Sequence, residues 1–391
     1  MVATGRPRVL RAINDRSALE LLVKHGPLSR SQLVKLTGLS KPTTGELLSR
    51  LLADGLVILA GTTSGTRGPH AQLYDVNGAL AHVVGVNAEE DRVTAAVADL
   101  TGRIVGEASV AVDDSSGEDP VPVVQRALRS AARRARQPVR SLHHVVVGVA
   151  GSFDTSSDHV IYADELSGWA SPAVVQDLRD ALHVPLTIEN DANLAAVAER
   201  TRGRATDIDT FAVLWVGRGL GLAVVFGGQV YRGATGGAGE VGYIPVAGPS
   251  ATFQDAIGSE AVLELARRHG FSGNSPDAVL SAADNDEPFL QELAKRLATC
   301  VATIVAVVDP PLVVLSGPTC ELGGDALARL TEAELHRISP FRTPLSVTGV
   351  SGSPVLFGAV DTAVAQARSA IFGAAGAEPW MPAAPAPEVS A

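Results

Sequence analysis

The chain has 391 residues, 46% hydrophobic and 19% charged, with a formal net charge of −10. This length supports two or three domains with a substantial core, and the balance of residues excludes a disordered or fibrous chain. Two cysteines, Cys300 and Cys320, exclude a disulfide scaffold and a multi-cysteine zinc site. No run of 18 or more uncharged apolar residues predicts a membrane span, and the start lacks an apolar leader, so the expected location is cytoplasmic.

Charge is unevenly spread. Residues 1–80 hold ten Lys/Arg against five acids, a balance of +5 that leaves −15 for the remainder. A basic head on an acidic body concentrates phosphate attraction at one end of the molecule. Leu19, Leu21, Leu22 and Val23 predict a helix near 15–25 that Gly26-Pro27 stops. Ser29 is placed to cap a second helix over 30–37, carrying Leu33 and Leu36. Thr37-Gly38-Leu39 reads as the tight turn, and Ser40 caps a third helix over 41–54 with Pro42 in its first turn. Leu47, Leu48, Leu51 and Leu52 form its buried stripe, which leaves Lys41, Thr43, Thr44 and Glu46 facing out.

This is the layout of a recognition helix, whose first turns enter the DNA major groove. Strands at 56–59 and 73–76 flank a Gly-rich wing over 61–70, where Arg67 can reach the backbone or the minor groove with help from His70. Residues 1–75 therefore read as a winged helix-turn-helix. The expected DNA contacts are Ser40, Lys41, Thr43, Thr44 and Arg67, with Arg50 on phosphate. Gly45, inside the third helix, is read either as room for DNA or as a tolerated defect costing about 1 kcal/mol.

Apolar runs at 81–87, 92–99 and 104–112, a helix over 120–136 and a strand over 144–151 give a β-β-β-α-β order. A second such pattern starts at 210–217 and runs through 221–226 and 229–232 to a helix at 288–308 and a strand at 312–316. Two similar lobes over 76–195 and 196–372 imply a cleft between them. The Ala/Pro-rich stretch 373–391 is expected to be disordered.

The ordered motifs Leu39-Ser40-Lys41-Pro42-Thr43, Gly148-Val149-Ala150-Gly151-Ser152-Phe153-Asp154, Glu189-Asn190-Asp191-Ala192-Asn193, Gly236-Gly237-Ala238-Gly239-Glu240-Val241-Gly242 and Ser316-Gly317 carry a resemblance. Together they make the chain similar to the ROK family (repressors, open reading frames, kinases), in the class with an N-terminal winged helix. The resemblance implies an α/β fold class: a winged helix-turn-helix followed by a two-lobed actin-like (ribonuclease H-like ATPase) body of sugar-kinase type. It also implies a sugar site at Asn190, Asp191, Glu240 and Glu260, with Gly151 and Gly237 in the surrounding loops. Chemistry agrees, since carboxylates and an Asn at strand ends accept and orient sugar hydroxyls. The bland alternatives are an N-cap role for Asp191 on a helix at 192–200, a solvated loop acid at Glu240 and a first-turn helix acid at Glu260. Trp169 reads either as a stacking platform for a sugar or as core.

Two departures bear on function. Where a ROK kinase has an Asp-x-Gly-x-Thr phosphate loop, this chain has Asn87-Ala88-Glu89-Glu90-Asp91, and Arg218 stands where the family usually has Thr. Three acids repel a triphosphate, so kinase activity and an ATP cofactor are not expected. The family's zinc motif is also missing: Tyr243 takes its His slot, and the Cys-rich loop is replaced at 249–259. Tyr243 then either lends a hydroxyl to the ligand or fills the pocket. The leading expectation is a non-enzymatic DNA-binding repressor, a dimer or tetramer by analogy, that senses a sugar or sugar derivative. The alternative is a ligand-independent regulator whose body serves oligomerisation or protein contact.

Overall fold

The computed structural model describes residues 7–62, 71–112, 119–154, 157–163, 166, 168–246, 251–273, 275–283 and 286–373. Arg67, His70 and the 374–391 stretch lie outside them.

The head comprises α1 (Pro7–His25), β1 (Leu28–Ser29), α2 (Arg30–Thr37), α3 (Lys41–Ala53), β2 (Val57–Thr62) and β3 (Gln72–Val76), with the antiparallel sheet ordered β1-β3-β2. Local chemistry sets the helix ends. Ser29 and Gln32 close a capping box on α2, and Gly38 ends it in the left-handed region at φ 71°. Ser40 then caps α3 by accepting from the Thr43 amide. Leu19, Leu22, Leu33, Leu47, Leu48 and Leu51 are buried together, each contributing about 1.5–3 kcal/mol by leaving water. Leu36 is 47% exposed, so α2 buries Leu33 alone of the expected pair.

The first lobe follows with β4 (His82–Ala88), β5 (Arg92–Asp99), β6 (Ile104–Ala111), α4 (Pro120–Arg134), β7 (Leu142–Val149), β8 (Ser152–Asp154), β9 (His159–Ile161), α5 (Val174–Leu182) and β10 (Leu186–Asn190). Helix α6 (Asp191–Arg202) leads out of it. The second lobe has β11 (Phe211–Val216), β12 (Leu220–Phe226), β13 (Gln229–Val230), a 3-10 turn at Val241–Tyr243, α7 (Phe253–Ile257), α8 (Ser259–Arg268), α9 (Pro276–Ala283), α10 (Glu287–Val308), β14 (Val313–Ser316), α11 (Pro318–Ile338) and β15 (Leu345–Val347). Helix α12 (Pro354–Phe372) ends the described chain.

The two main sheets repeat one plan. The first is ordered β10-β7-β4-β5-β6 and the second β13-β12-β11-β14-β15. In each, three consecutive strands pair antiparallel and the first of them also pairs parallel with a later strand. The central strands are Val- and Ala-rich on both faces because helices cover both.

One expectation about the lobes is corrected. The division at 195/196 assigns α12 to the second lobe, but α12 packs on β4, β5 and β7 of the first sheet and crosses α6. Gly358 permits that crossing: a Cβ there would lie 1.9 Å from the Leu194 carbonyl oxygen. Although α12 is long and apolar enough to span a membrane by composition, half of its apolar window is buried between protein elements, as in a core helix. Leu356, Val360 and Val364 of α12 share one apolar cluster with Leu19 and Leu22 of α1. The head is thus joined to the body through α12 as well as through the chain, and Arg16 adds a hydrogen bond to the Gly373 carbonyl at 3.4 Å.

Candidate functional site

Strand ends and helix starts converge on the cleft. Where β10 gives way to α6, Asn190 takes the N-cap position, accepting from the Asn193 amide at 3.1 Å and donating to the Gly151 carbonyl at 3.0 Å. Asp191 is the first residue of α6, where the helix dipole favours a carboxylate, and its Oδ1 accepts from the Ala192 amide at 2.7 Å. The N-cap alternative for Asp191 therefore falls to its neighbour. Gly151, at φ 143°, brings the loop after β7 against Ala163 and beside the Asn190 amide group.

Across the cleft, Glu240 precedes the 3-10 turn of the second lobe and accepts from Ser152 Oγ at 2.5 Å. Burial pushes its carboxyl above the ordinary value, and the Ser152 bond pulls back against that shift. Gly151, Asn190, Asp191, Glu240 and Tyr243 line a single cavity of about 360 Å³. Tyr243 is 52% exposed at its mouth, with its ring centroid 5.2 Å from that of Tyr162 on the first lobe. It borders the cavity without plugging it.

Two expected site residues are elsewhere. Glu260 is exposed in the first turn of α8 and lines a separate cavity of about 900 Å³ with Arg218 and Arg267. Its bland reading is the one the geometry favours: Glu260 is a first-turn acid of α8, and it does not line the cavity that Asn190 and Asp191 share, although Gln254 and Asp255 border both cavities. Gly237 does not line the ligand cavity; a Cβ there would meet the Tyr162 ring edge at 3.5 Å. Trp169 is 4% exposed within the first lobe's apolar cluster and is not a stacking platform.

The adjoining cavity of about 250 Å³ is lined by Asn87, Glu89, Glu90, Asp91 and Arg218, and it meets the first at Asp191. Burial raises the Glu89 carboxyl, opposed by Arg92. Glu90 forms an ion pair with Arg218. That pair bridges the lobes and sets a cation and an anion against each other at the cavity wall. Asn87 is 6% exposed, and its amide donates to Ser353 Oγ at 3.4 Å.

In the head, Ser40, Lys41 and Thr43 are exposed on the first turn of α3. Thr44 is not: it is 1% exposed and donates to the Ser40 carbonyl at 3.0 Å. Its place one turn before Leu47, Leu48 and Leu51 extends the buried stripe, and the local hydrogen bond satisfies the hydroxyl. Arg50 pairs with Asp15 of α1 at 2.6 Å, so it braces the helices while remaining partly exposed. Gly45 accommodates the Arg30 guanidinium, which donates to the Lys41 carbonyl at 2.5 Å; a Cβ at 45 would lie 2.3 Å from Arg30 Nη2.

Comparison with known proteins bears on both parts. The ROK family pattern matches residues 83–338, and the winged helix-turn-helix DNA-binding pattern matches residues 11–58. The chain belongs to the ROK family. It is similar to the xylose repressor of Caldicellulosiruptor bescii, 23% identical over 361 residues, which span 84% of this chain and 88% of that protein. In structure it resembles a ROK family transcriptional regulator that is a homologue of the Escherichia coli MLC protein. The TM-score is 0.71 at 17% identity, covering 91% of this chain and 97% of that one. The body alone resembles a ROK family glucokinase from Streptomyces griseus in complex with glucose and AMPPNP. There the TM-score is 0.60 at 21% identity, covering 72% of this chain and 99% of that one.

Within this ROK body, several residues that shape the site escaped sequence reasoning. Glu189 is 7% exposed and binds Arg232 of the second lobe at 2.6 and 2.8 Å, while its other oxygen accepts from Asn193 at 2.9 Å. Ser152 and Tyr162 reach the second lobe from the β8–β9 hairpin and the residue after it. Glu189 and Ser152 had a sequence signal, as parts of the Glu189–Asn193 and Gly148–Asp154 motifs, and Tyr162 had none. The partners of all three lie 43 to 88 positions away or across the cleft.

Proposed function

We propose that this ROK protein is a DNA-binding transcriptional repressor of carbohydrate-related genes. A sugar or sugar derivative held by Asn190, Asp191 and Glu240 is its effector, and the protein does not phosphorylate it. The observation that carries this reading is the cavity those three residues line between the lobes, in a chain whose basic head presents Ser40, Lys41 and Thr43 at the start of α3. The xylose repressor and ROK regulator likenesses support it. Helix α6 starts at the site with Asp191, crosses α12 at Gly358, and α12 packs with α1 of the head. A ligand that favours one lobe arrangement therefore has a packed route to the DNA-reading element. In a dimer or tetramer, such a shift changes the spacing of heads that must meet half-sites roughly 34 Å apart. The acidic loop at 89–91 opposes a nucleotide triphosphate, so ATP does not enter this reading, and zinc is left out because Tyr243 holds the His slot and the Cys-rich loop is replaced.

Calorimetric titration with pentoses, hexoses, amino sugars and sugar phosphates tests the proposal, with Asp191→Ala as control. Saturable binding lost in the variant, with a matching change in operator affinity, is the expected result. Sugar turnover with ADP release would refute the non-enzymatic part. A second reading, a ligand-independent regulator, draws on the Ser152–Glu240 and Tyr162–Tyr243 contacts that already bridge the cleft. It predicts no sugar binding and no effect of Asp191→Ala on DNA affinity.

A further inference from the structure

The outer end of the ligand cavity is aromatic. Tyr162 belongs to the first lobe and Tyr243 to the second, and their rings meet across the mouth at 5.2 Å with an interplanar angle of 50°. Both remain about half exposed, at 49% and 52%, so neither is serving as core. Tyr162 also has φ 57°, the left-handed region that a bulky side chain rarely adopts, and its ring edge lies against Gly237. A backbone outlier at a cavity mouth, supported from beneath by a glycine, is a conformation the surroundings maintain. The inner end is polar: Asn190, Asp191 and Glu240 face the same space. At about 360 Å³, the cavity is at the lower end of the range for small-molecule sites, roughly 300–1,000 Å³.

Building on the sugar-responsive reading, we propose that Tyr162 and Tyr243 form a stacking clamp. It selects a glycoside over a free monosaccharide. The inner ring offers its hydroxyls to Asn190, Asp191 and Glu240. A flat second ring, joined through the glycosidic bond, stacks on the tyrosines. Tyrosine faces suit this role because they give large rigid contact with little rotamer freedom to lose. The second ring is either another pyranose, whose C–H face is apolar, or an aromatic aglycone. Both present the same flat surface. Since the two rings come from different lobes, seating that second ring separates them and changes the lobe angle directly.

The test is isothermal titration of the full chain with xylose, glucose and N-acetylglucosamine, each beside its β-phenyl glycoside and its β-linked disaccharide. The same series is run on Tyr162→Ala, Tyr243→Ala and Asp191→Ala. For the cognate inner sugar, at least one glycoside form should bind about tenfold more tightly than the monosaccharide. Each tyrosine variant should lose most of that advantage, measured as the ratio of its own glycoside and monosaccharide affinities, and a circular dichroism spectrum and thermal melt matching the unaltered chain show that the variant is folded. A preference for the disaccharide identifies a sugar as the second ring, and a preference for the phenyl glycoside identifies an aryl group. Equal affinity for monosaccharide and glycosides, or an advantage that survives both tyrosine variants, overturns the clamp and leaves the sugar-sensing reading intact. Absence of binding by every compound to the unaltered chain overturns both.

Discussion

The two halves of the cleft are built differently. In the half lined by Asn190, Asp191 and Glu240, the polar groups are tied into the scaffold: Asn190 caps α6, Glu189 beside it binds Arg232, and Ser152 holds Glu240. In the half lined by Glu89, Glu90, Asp91 and Arg218, the charges are nearer solvent, with Arg218 half exposed and Asp91 70% exposed. Groups that fix the β10–α6 junction cannot change without cost to the fold. Groups nearer solvent carry no such cost. The acidic loop can therefore vary without disturbing the cavity lined by Asn190, Asp191 and Glu240.

The sharpest way to break the contrast is through Glu189. Its removal takes two hydrogen bonds from Arg232, whose side chain is only 18% exposed, and one from the Asn193 side-chain amide. We expect Glu189→Ala to lower unfolding free energy by about 2 kcal/mol, because a half-buried guanidinium loses two charge-assisted hydrogen bonds. Urea denaturation of the variant checks this, and a loss below about 1 kcal/mol would show that the ligand half is no more built in than the other.

Much of this arrangement was legible in the sequence, for identifiable reasons. Continuous Val/Ala runs announced β4, β5 and β7 because strands covered on both faces need no polar alternation. Ser29, Gly38 and Ser40 marked the head's helix ends because capping chemistry is local. What failed was non-local. Thr44 was read as exposed because the stripe was traced through leucines alone, while a threonine that bonds its own helix backbone is quiet enough to bury. The return of α12 to the first lobe has no local signature, since an apolar helix suits either sheet. Glu260 was placed by motif order, but its distance from Asp191 depends on how α8 leaves Gly258.

Acid provides a second, intermediate-sized probe. His144 is held down to about 4 by burial, below its ordinary 6.5, and it contacts Thr187 at 2.9 Å. A histidine depressed in the folded state binds fewer protons there than when unfolded, so stability falls as pH drops from 6.5 towards 4. The full shift sets an upper bound of about 3 kcal/mol, and partial solvent access reduces the expected loss to about 1–2. Replacing His144 with Asn should flatten thermal stability over that window. Glu240 runs the other way: its raised carboxyl destabilises the fold when ionised, and protonation relieves this as pH falls through its folded pKa. Sugar affinity should nevertheless drop below that pKa, up to about tenfold per unit, because the neutral acid is a poorer acceptor. Ser152→Ala removes a donor that favours ionisation, so it should move the inflection to higher pH. Titrations of sugar binding against pH in both backgrounds decide this, and the His144→Asn chain separates lost affinity from unfolding.

The smallest effect is expected in the other half. Arg218 and Glu90 are bonded across the lobes, but at 50% and 35% exposure the pair resembles a surface ion pair worth 0–1 kcal/mol. Arg218→Ala should change stability by less than about 1 kcal/mol, and more weakly still at high salt, where exposed charges are screened. Sugar affinity should stay within about twofold, since Arg218 borders the acidic cavity and not the one lined by Asn190 and Glu240. Asp191 faces both cavities, however, together with Ala150, Trp215 and Gly219, and it is the charged group among them through which the halves could communicate. A tenfold change in sugar affinity in Arg218→Ala would mean that the Glu90–Arg218 bridge sets the lobe angle the ligand reads. The acidic half would then be a working part of the sensor.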